Sequence, residues 1–246
     1  MAEPDVSDSS SRTSSTPQQT AESACGPAPD APRKLRGVIT DWGGVLTHPL
    51  TETVYAWLEA DGIDRDSYRT VMRAWVAQAY DAEHNTNPIR ALERGECTEA
   101  EFEQLLAAEL IRVDGGAVPA GGLLARMFAA SAFDEAMHEL IRAARRAGLR
   151  TALLSNSWGD NGYPRHLFPE LFDTVVISSE VGMRKPEERI FRLAIERLGL
   201  QPAECVFIDD IQENVNAARA AGLVSVWHQT AADTTAQLAE LLGISL

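Results

Sequence analysis

Five short apolar runs, rich in β-branched residues, recur along the chain and alternate in its second half with amphipathic helical patterns. They are Gly37–Thr40, Arg150–Leu154, Thr174–Ile177, Cys205–Ile208 and Val224–Trp227. Helical periodicity occupies residues 134–147, 187–198 and 213–221, and Gly148, Gly199 and Gly222 follow as residues suited to helix C-termini. Apolar strands alternating with such helices specify a parallel sheet covered on both faces. The first and second runs are set apart by residues 41–149, a stretch with helical periodicity and no strand pattern. Within it Tyr68, Met72, Trp75 and Ala79 share one helix face, and Thr98-Glu99-Ala100-Glu101 matches a capping box opening a helix through Phe102 and Leu105. This block is too long for a simple crossover, so it reads as a helical insertion lying over the carboxyl edge of the sheet.

The expected organisation is a disordered tail over residues 1–34, a Rossmann-like α/β core from 35–50 and 131–246, and a helical cap over 51–130. The tail is rich in Ser, Thr, Pro, Ala and acids and cannot bury enough apolar surface to offset its ordering entropy. The remainder of a 246-residue chain that is 45% hydrophobic can form one core and a small lid. A net charge of −14 repels nucleic-acid backbones and anionic lipid surfaces, so neither is an expected partner. The N-terminus lacks the basic and apolar regions of a signal peptide, and no apolar stretch has the length of a membrane span. Cys25, Cys97 and Cys205 show no CxxC spacing, and a reducing, cytoplasmic setting is expected.

In open α/β sheets, ligands bind beyond the carboxyl ends of the strands. Asp41 follows the first run, Ser155-Asn156 the second and Asp209-Asp210 the fourth, while Lys185 precedes Pro186 at an expected helix start. Each residue alone has an ordinary explanation as a cap, a loop residue or a solvated lysine. Together on one edge they are harder to explain that way. Three carboxylates in one crevice repel one another unless a hard cation joins them, and Mg²⁺ takes one or two carboxylates plus substrate phosphate oxygens. A lysine and a small hydroxyl supply what the remaining phosphate oxygens require.

The run Val38-Ile39-Thr40-Asp41-Trp42-Gly43-Gly44-Val45-Leu46-Thr47 resembles the first motif of the haloacid dehalogenase (HAD) hydrolases. Leu153-Leu154-Ser155-Asn156 resembles the second, Gly182-Met183-Arg184-Lys185-Pro186 the third, and Val206-Phe207-Ile208-Asp209-Asp210 with Asn214 the fourth. The resemblance implies a core with an α-helical cap inserted after the first motif. It implies that Asp41 attacks phosphorus and that Ser155, Asn156 and Lys185 hold the phosphoryl oxygens. Asp41, the carbonyl of Gly43 and Asp210 would ligate Mg²⁺, with Asp209 close by and Asn214 orienting the acidic pair. The implied activity is a Mg²⁺-dependent phosphohydrolase acting on a small phosphorylated metabolite through an aspartyl-phosphate. A phosphotransferase and a non-catalytic phosphate-ligand binder are the alternatives.

One position departs from the family pattern. HAD phosphatases usually carry a second Asp two residues after the nucleophile as general acid and base, a contribution worth about 10²–10⁴ in rate; here that position is Gly43. The family's phosphonoacetaldehyde hydrolases form a Schiff base on a cap lysine, and residues 51–130 hold no lysine. The haloacid dehalogenases themselves lack the paired acids seen here as Asp209-Asp210. His48 and His84 are candidate proton sources. Asn85, Asn87, Trp42, Trp158 and Arg184 are weaker candidates for substrate contact, with solvated-loop or core-packing roles favoured for each.

Overall fold

The computed structural model describes residues 34–79, 87–159 and 163–243. The tail expected over residues 1–34 lies outside them apart from Lys34, as do His84 and Asn85. The five runs form strands β1 (Gly37–Thr40), β2 (Arg150–Ser155), β3 (Thr174–Ile177), β4 (Cys205–Asp209) and β5 (Val224–Trp227). All pair in parallel in the order β3-β2-β1-β4-β5. The central strand is β1, with Gly37 opposite both Arg150 and Cys205. From β1 the chain proceeds to one side of the sheet and later returns to the other. The crevice between β1 and β4 is therefore the topological switch point at which this architecture places ligands.

Eleven α-helices surround the sheet among the described residues. Between β1 and β2 lie α1 (Leu50–Ala60), α2 (Arg65–Ala79), α3 (Pro88–Glu93), α4 (Glu99–Glu109), α5 (Leu123–Met127) and α6 (Glu135–Arg146). After β2 come α7 (Phe168–Leu171), α8 (Ser178–Val181), α9 (Glu188–Leu198), α10 (Gln212–Ala220) and α11 (Ala231–Leu242). Successive strand residues feed opposite cores, as the two-residue strand period requires. Val38, Leu153, Val206 and Ile208 pack with α6 and α11, whereas Ile39, Leu154, Cys205 and Phe207 pack with α9 and α10. This is why the strands read as continuously apolar: both faces are buried.

Local signals set the helix boundaries. Helix α6 buries Met137, Leu140, Ile141 and Ala144, and Asp134 caps its start by accepting from the N–H groups of Ala136 at 3.0 Å and Met137 at 3.1 Å. Such a cap contributes about 1 kcal/mol. Helix α9 ends at Gly199 with φ 65°, a left-handed conformation that glycine adopts without steric cost. Pro186 does not begin this helix, contrary to the expectation. It sits in the preceding turn after a cis peptide bond, and Glu187 occupies the N-cap.

Helices α1, α3, α4 and α5 supply a third apolar cluster of their own, including Trp57, Leu58, Ile89, Phe102, Leu106, Leu123 and Met127. Tyr68, Met72 and Trp75 of α2 pack against it, consistent with their shared face. The capping box at α4 is present, with Thr98 Oγ1 accepting from Glu101 N–H at 3.2 Å and Glu101 Oε2 accepting from Thr98 N–H at 2.8 Å. No helix among the described residues is long and apolar enough to cross a membrane.

Candidate active site

Asp41 lies one residue beyond β1, where its N–H still donates to Ile208 O at 2.9 Å and anchors the nucleophile candidate to the sheet. The Nζ of Lys185 lies 2.7 Å from Asp41 Oδ1 and 2.7 Å from Asp209 Oδ2, bridging the ends of β1 and β4. Lys185 is fully buried. Asp209 is held further by the Ile211 N–H, which donates to Oδ1 at 2.8 Å, and by Asn214 Nδ2, which lies 3.1 and 3.2 Å from its two oxygens. Asn214 thus orients one member of the acidic pair. Carboxylate oxygens of Asp41, Asp209 and Asp210 lie within 4.8 Å of one another. The loop after Asp41 closes around them because residue 44 is glycine. Its φ is +75°, and a Cβ there would stand 2.4 Å from Asp210 Oδ2.

Burial raises the Asp41 carboxyl to about 7; the Lys185 ammonium pulls it down, and Asp209 and Asp210 push it up again. Burial also raises Asp210, to about 6, with Asp209 adding to the shift. Burial works against the Lys185 charge, but the carboxylates of Asp209 and Asp41 overcome it and hold the ammonium well above its ordinary range. Three carboxylates face one ammonium, so the cluster is short of positive charge. A hard divalent cation with oxygen ligands suits that donor set.

A pH dependence follows for the metal-free protein. With the folded pKa of Asp41 near 7 against an ordinary 3.8, the native state binds more protons than the unfolded state between those values. Stability from this site is therefore present at low pH and is lost as pH rises through about 7. Chelated protein should melt at a higher temperature at pH 5.5 than at pH 8 by calorimetry, and Asp41→Asn should shrink that difference. An unchanged difference in the variant would assign the dependence elsewhere.

Ser155 ends β2, and its Oγ lies 2.8 Å from the hydroxyl of Tyr163. Asn156 lines the same edge as Ser155, and its side-chain amide is engaged by the Lys185 backbone. Its Nδ2 donates to Lys185 O at 3.0 Å and its Oδ1 accepts from Lys185 N–H at 2.8 Å, so the side chain positions the lysine backbone. Gly43 lies in the loop after Asp41 and lines a cavity of about 640 Å³ with Ser155 and Asn156. The cavity continues between α1, α2 and α5 past Val54, Met72 and Leu124. His48 is exposed and does not line it. Asn87 caps α3, accepting from Arg90 N–H at 3.1 Å.

Arg184 is neither solvated nor at the cavity wall. It is 3% exposed and pairs through Nε with Glu93, itself 5% exposed, while Trp158 Nε1 donates to Glu93 at 3.2 Å. Sequence reasoning did not single out Glu93 or Tyr163. Tyr163 sits in the loop leaving β2, and its place beyond a strand's carboxyl end was the available signal.

The family profile of haloacid dehalogenase-like hydrolases matches residues 35–222. A phosphatase of Mycobacterium tuberculosis is 31% identical over 77% of this chain and 85% of its own length. Mouse acyl-CoA dehydrogenase family member 10 is 27% identical over 87% of this chain. The chain spans only 20–40% of the length of that protein and of the mammalian bifunctional epoxide hydrolases it also matches. Among solved structures, a HAD family enzyme of Bacteroides thetaiotaomicron superposes with a TM-score of 0.62 at 22% identity, covering 84% of this chain and 99% of that one. The same enzyme has been solved with magnesium and inorganic phosphate, with a TM-score of 0.53, 22% identity, and coverage of 79% of this chain and 94% of that one. The sheet order, the four motifs at its carboxyl edge and the match over residues 35–222 agree: this chain belongs to the haloacid dehalogenase-like hydrolases.

Proposed function

We propose that the protein is a Mg²⁺-dependent phosphohydrolase acting on a phosphate monoester, with Asp41 as nucleophile. The observation that carries this reading is the buried Lys185 ammonium bridging Asp41 and Asp209 beside Asp210 at the sheet's switch point. A phosphatase among the relatives and a magnesium and phosphate complex of a structural neighbour support it.

Asp41, Asp210 and the Gly43 carbonyl would hold the cation. Asp209 is already engaged by Lys185, Asn214 and the Ile211 N–H, which suits it to a supporting place. Bound Mg²⁺ supplies charge neutralisation for the phosphoryl oxygens. A carboxylate oxygen of Asp41 attacks phosphorus as the bond to the leaving oxygen breaks, and water then cleaves the aspartyl-phosphate to return the carboxylate and release phosphate. Lys185 and the Ser155 hydroxyl hold phosphoryl oxygens, and Asn156 fixes the backbone that carries Lys185. The segment 51–130 acts as a cap whose closure excludes water and whose opening frees product. The test is phosphate release from p-nitrophenyl phosphate by the full chain. Turnover is expected with Mg²⁺, with loss under EDTA and recovery on re-addition. Equal rates with and without metal would refute the assignment.

Gly43 adds a second expectation. With no carboxylic acid there, charge building on the leaving oxygen in a loose transition state goes unprotonated from that position. Rates across substituted aryl phosphates should fall steeply as leaving-group pKa rises. The φ of Gly43 lies outside the left-handed region, and a Cβ would meet Leu50 Cδ1 at 3.2 Å, so Gly43→Asp needs only a small shift of that side chain. The variant should flatten the slope. A flat slope in the parent protein, measured where chemistry limits the rate, would show that another group donates the proton. Tyr163 would be examined first, because it lies at the site whereas His48 does not.

A further inference from the structure

We propose that the substrate is a phosphate monoester carrying a long apolar tail, the tail held in the cavity between the sheet edge and helices α1, α2 and α5. The proposal rests on the phosphohydrolase reading and names its substrate class. The cavity opens from the site itself, since Gly43 and Ser155 line both. Away from that mouth its walls are Leu50, Val54, Met72, Leu124, Phe128 and Trp158. Phe133, stacked on His138 and edge-on to Trp42, also faces it and is 39% exposed.

The polar groups along the wall are mostly engaged. Thr47 Oγ1 accepts from Gly44 N–H at 3.0 Å and donates to His48 O at 3.1 Å. The Asn156 amide is tied to the Lys185 backbone, and the Ser155 and Tyr163 hydroxyls pair with each other. No lysine, arginine or histidine lines the cavity among the described residues, and its one acid is Glu99. A sugar phosphate would find few open partners for its hydroxyls among these described side chains. An apolar tail loses nothing in such a site and gains from leaving water.

The size fits as well. At ~30 Å³ per heavy atom, the share of a water molecule in the liquid, 640 Å³ accommodates on the order of twenty non-hydrogen atoms. Gly43 contributes to access. Its Cβ position faces Leu50 across the mouth, so a side chain there would narrow the passage from Asp41 into the cavity.

The test uses the full chain with Mg²⁺ and a series of 4-alkylphenyl phosphates from methyl to octyl. The leaving phenol keeps a pKa near ~10 throughout, so tail length varies without changing leaving-group chemistry. kcat/KM is expected to rise about fourfold per methylene, the factor equivalent to ~0.8 kcal/mol, until the cavity is filled. Met72→Glu should lower the octyl-to-methyl ratio at least tenfold. A flat or falling series, with the methyl compound hydrolysed, would overturn the proposal. So would a preference for choline phosphate or a sugar phosphate over the octyl compound. If no aryl phosphate is hydrolysed, the phosphohydrolase reading fails, and calorimetry then judges the tail site alone. Binding of 4-octylphenyl phosphate more than ~100-fold tighter than phenyl phosphate, with a negative heat-capacity change, would sustain it; equal binding would end it.

Discussion

Asp41→Asn is expected to lower phosphate release by at least ~10⁴-fold while the protein folds as before. Losing a covalent nucleophile removes the pathway itself, and what remains is the contribution of binding and electrostatics to direct attack by water. The amide matches the carboxylate in shape and can still accept from Lys185 Nζ, which also keeps its 2.7 Å partner Asp209. The substitution removes one of three clustered carboxylates, so the metal-free variant should melt no lower than the parent and somewhat higher at pH 8. The measurement pairs a single-turnover assay with thermal melts at two pH values. Turnover within tenfold of the parent would sink the mechanism. Lost turnover with a collapsed melt would not count for it, because unfolding would then explain both results.

The core could be read from the chain because both faces of its strands are buried. Val38 and Ile39, or Val206 and Phe207, point to opposite cores, so each strand appears as an unbroken apolar run. The site was legible to the same degree, since Asp41, Ser155, Asp209 and Asp210 are polar residues set abruptly against the ends of those runs. Pairings across the chain left no such mark. Asn156 reads as a phosphate-binding candidate beside Ser155, and only folding brings its amide onto the Lys185 backbone, 29 positions away. Glu93 reads as the exposed end of a helix, yet it is buried against Arg184, 91 positions away. The apolar cavity was hidden for a different reason. Val54, Met72 and Leu124 lie on helix faces whose periodicity is that of any core face, and periodicity does not distinguish packing against protein from lining a space.

Arg184→Met is expected to be the most destabilising single substitution around the site. Arg184 Nε donates to Glu93 Oε2 and its Nη1 donates to Ala79 O at 3.1 Å, joining the end of α2, the end of α3 and the residue before Lys185. Burial pushes the Glu93 carboxyl up, and the Arg184 guanidinium offsets part of that rise. Without the guanidinium, Glu93 keeps the Trp158 N–H at 3.2 Å and the Lys185 charge against the cost of burial. Stranding one partner of a buried pair costs about 3–5 kcal/mol, whereas replacing both with apolar residues of similar volume is often neutral. The single variant should therefore melt roughly 10 °C lower, given ~2–4 °C per kcal/mol for a domain of this size. The double variant Glu93→Leu with Arg184→Met should recover most of that loss. The sign of the pH dependence follows from the carboxyl left behind. Its folded pKa rises further, so the single variant should lose more stability at pH 8 than at pH 5, while the double variant shows no such excess. Melts of the parent, both singles and the double at both pH values complete the cycle. A double variant no more stable than Arg184→Met would mean that the arginine acts through its packing and its bond to Ala79 rather than through the charge of Glu93.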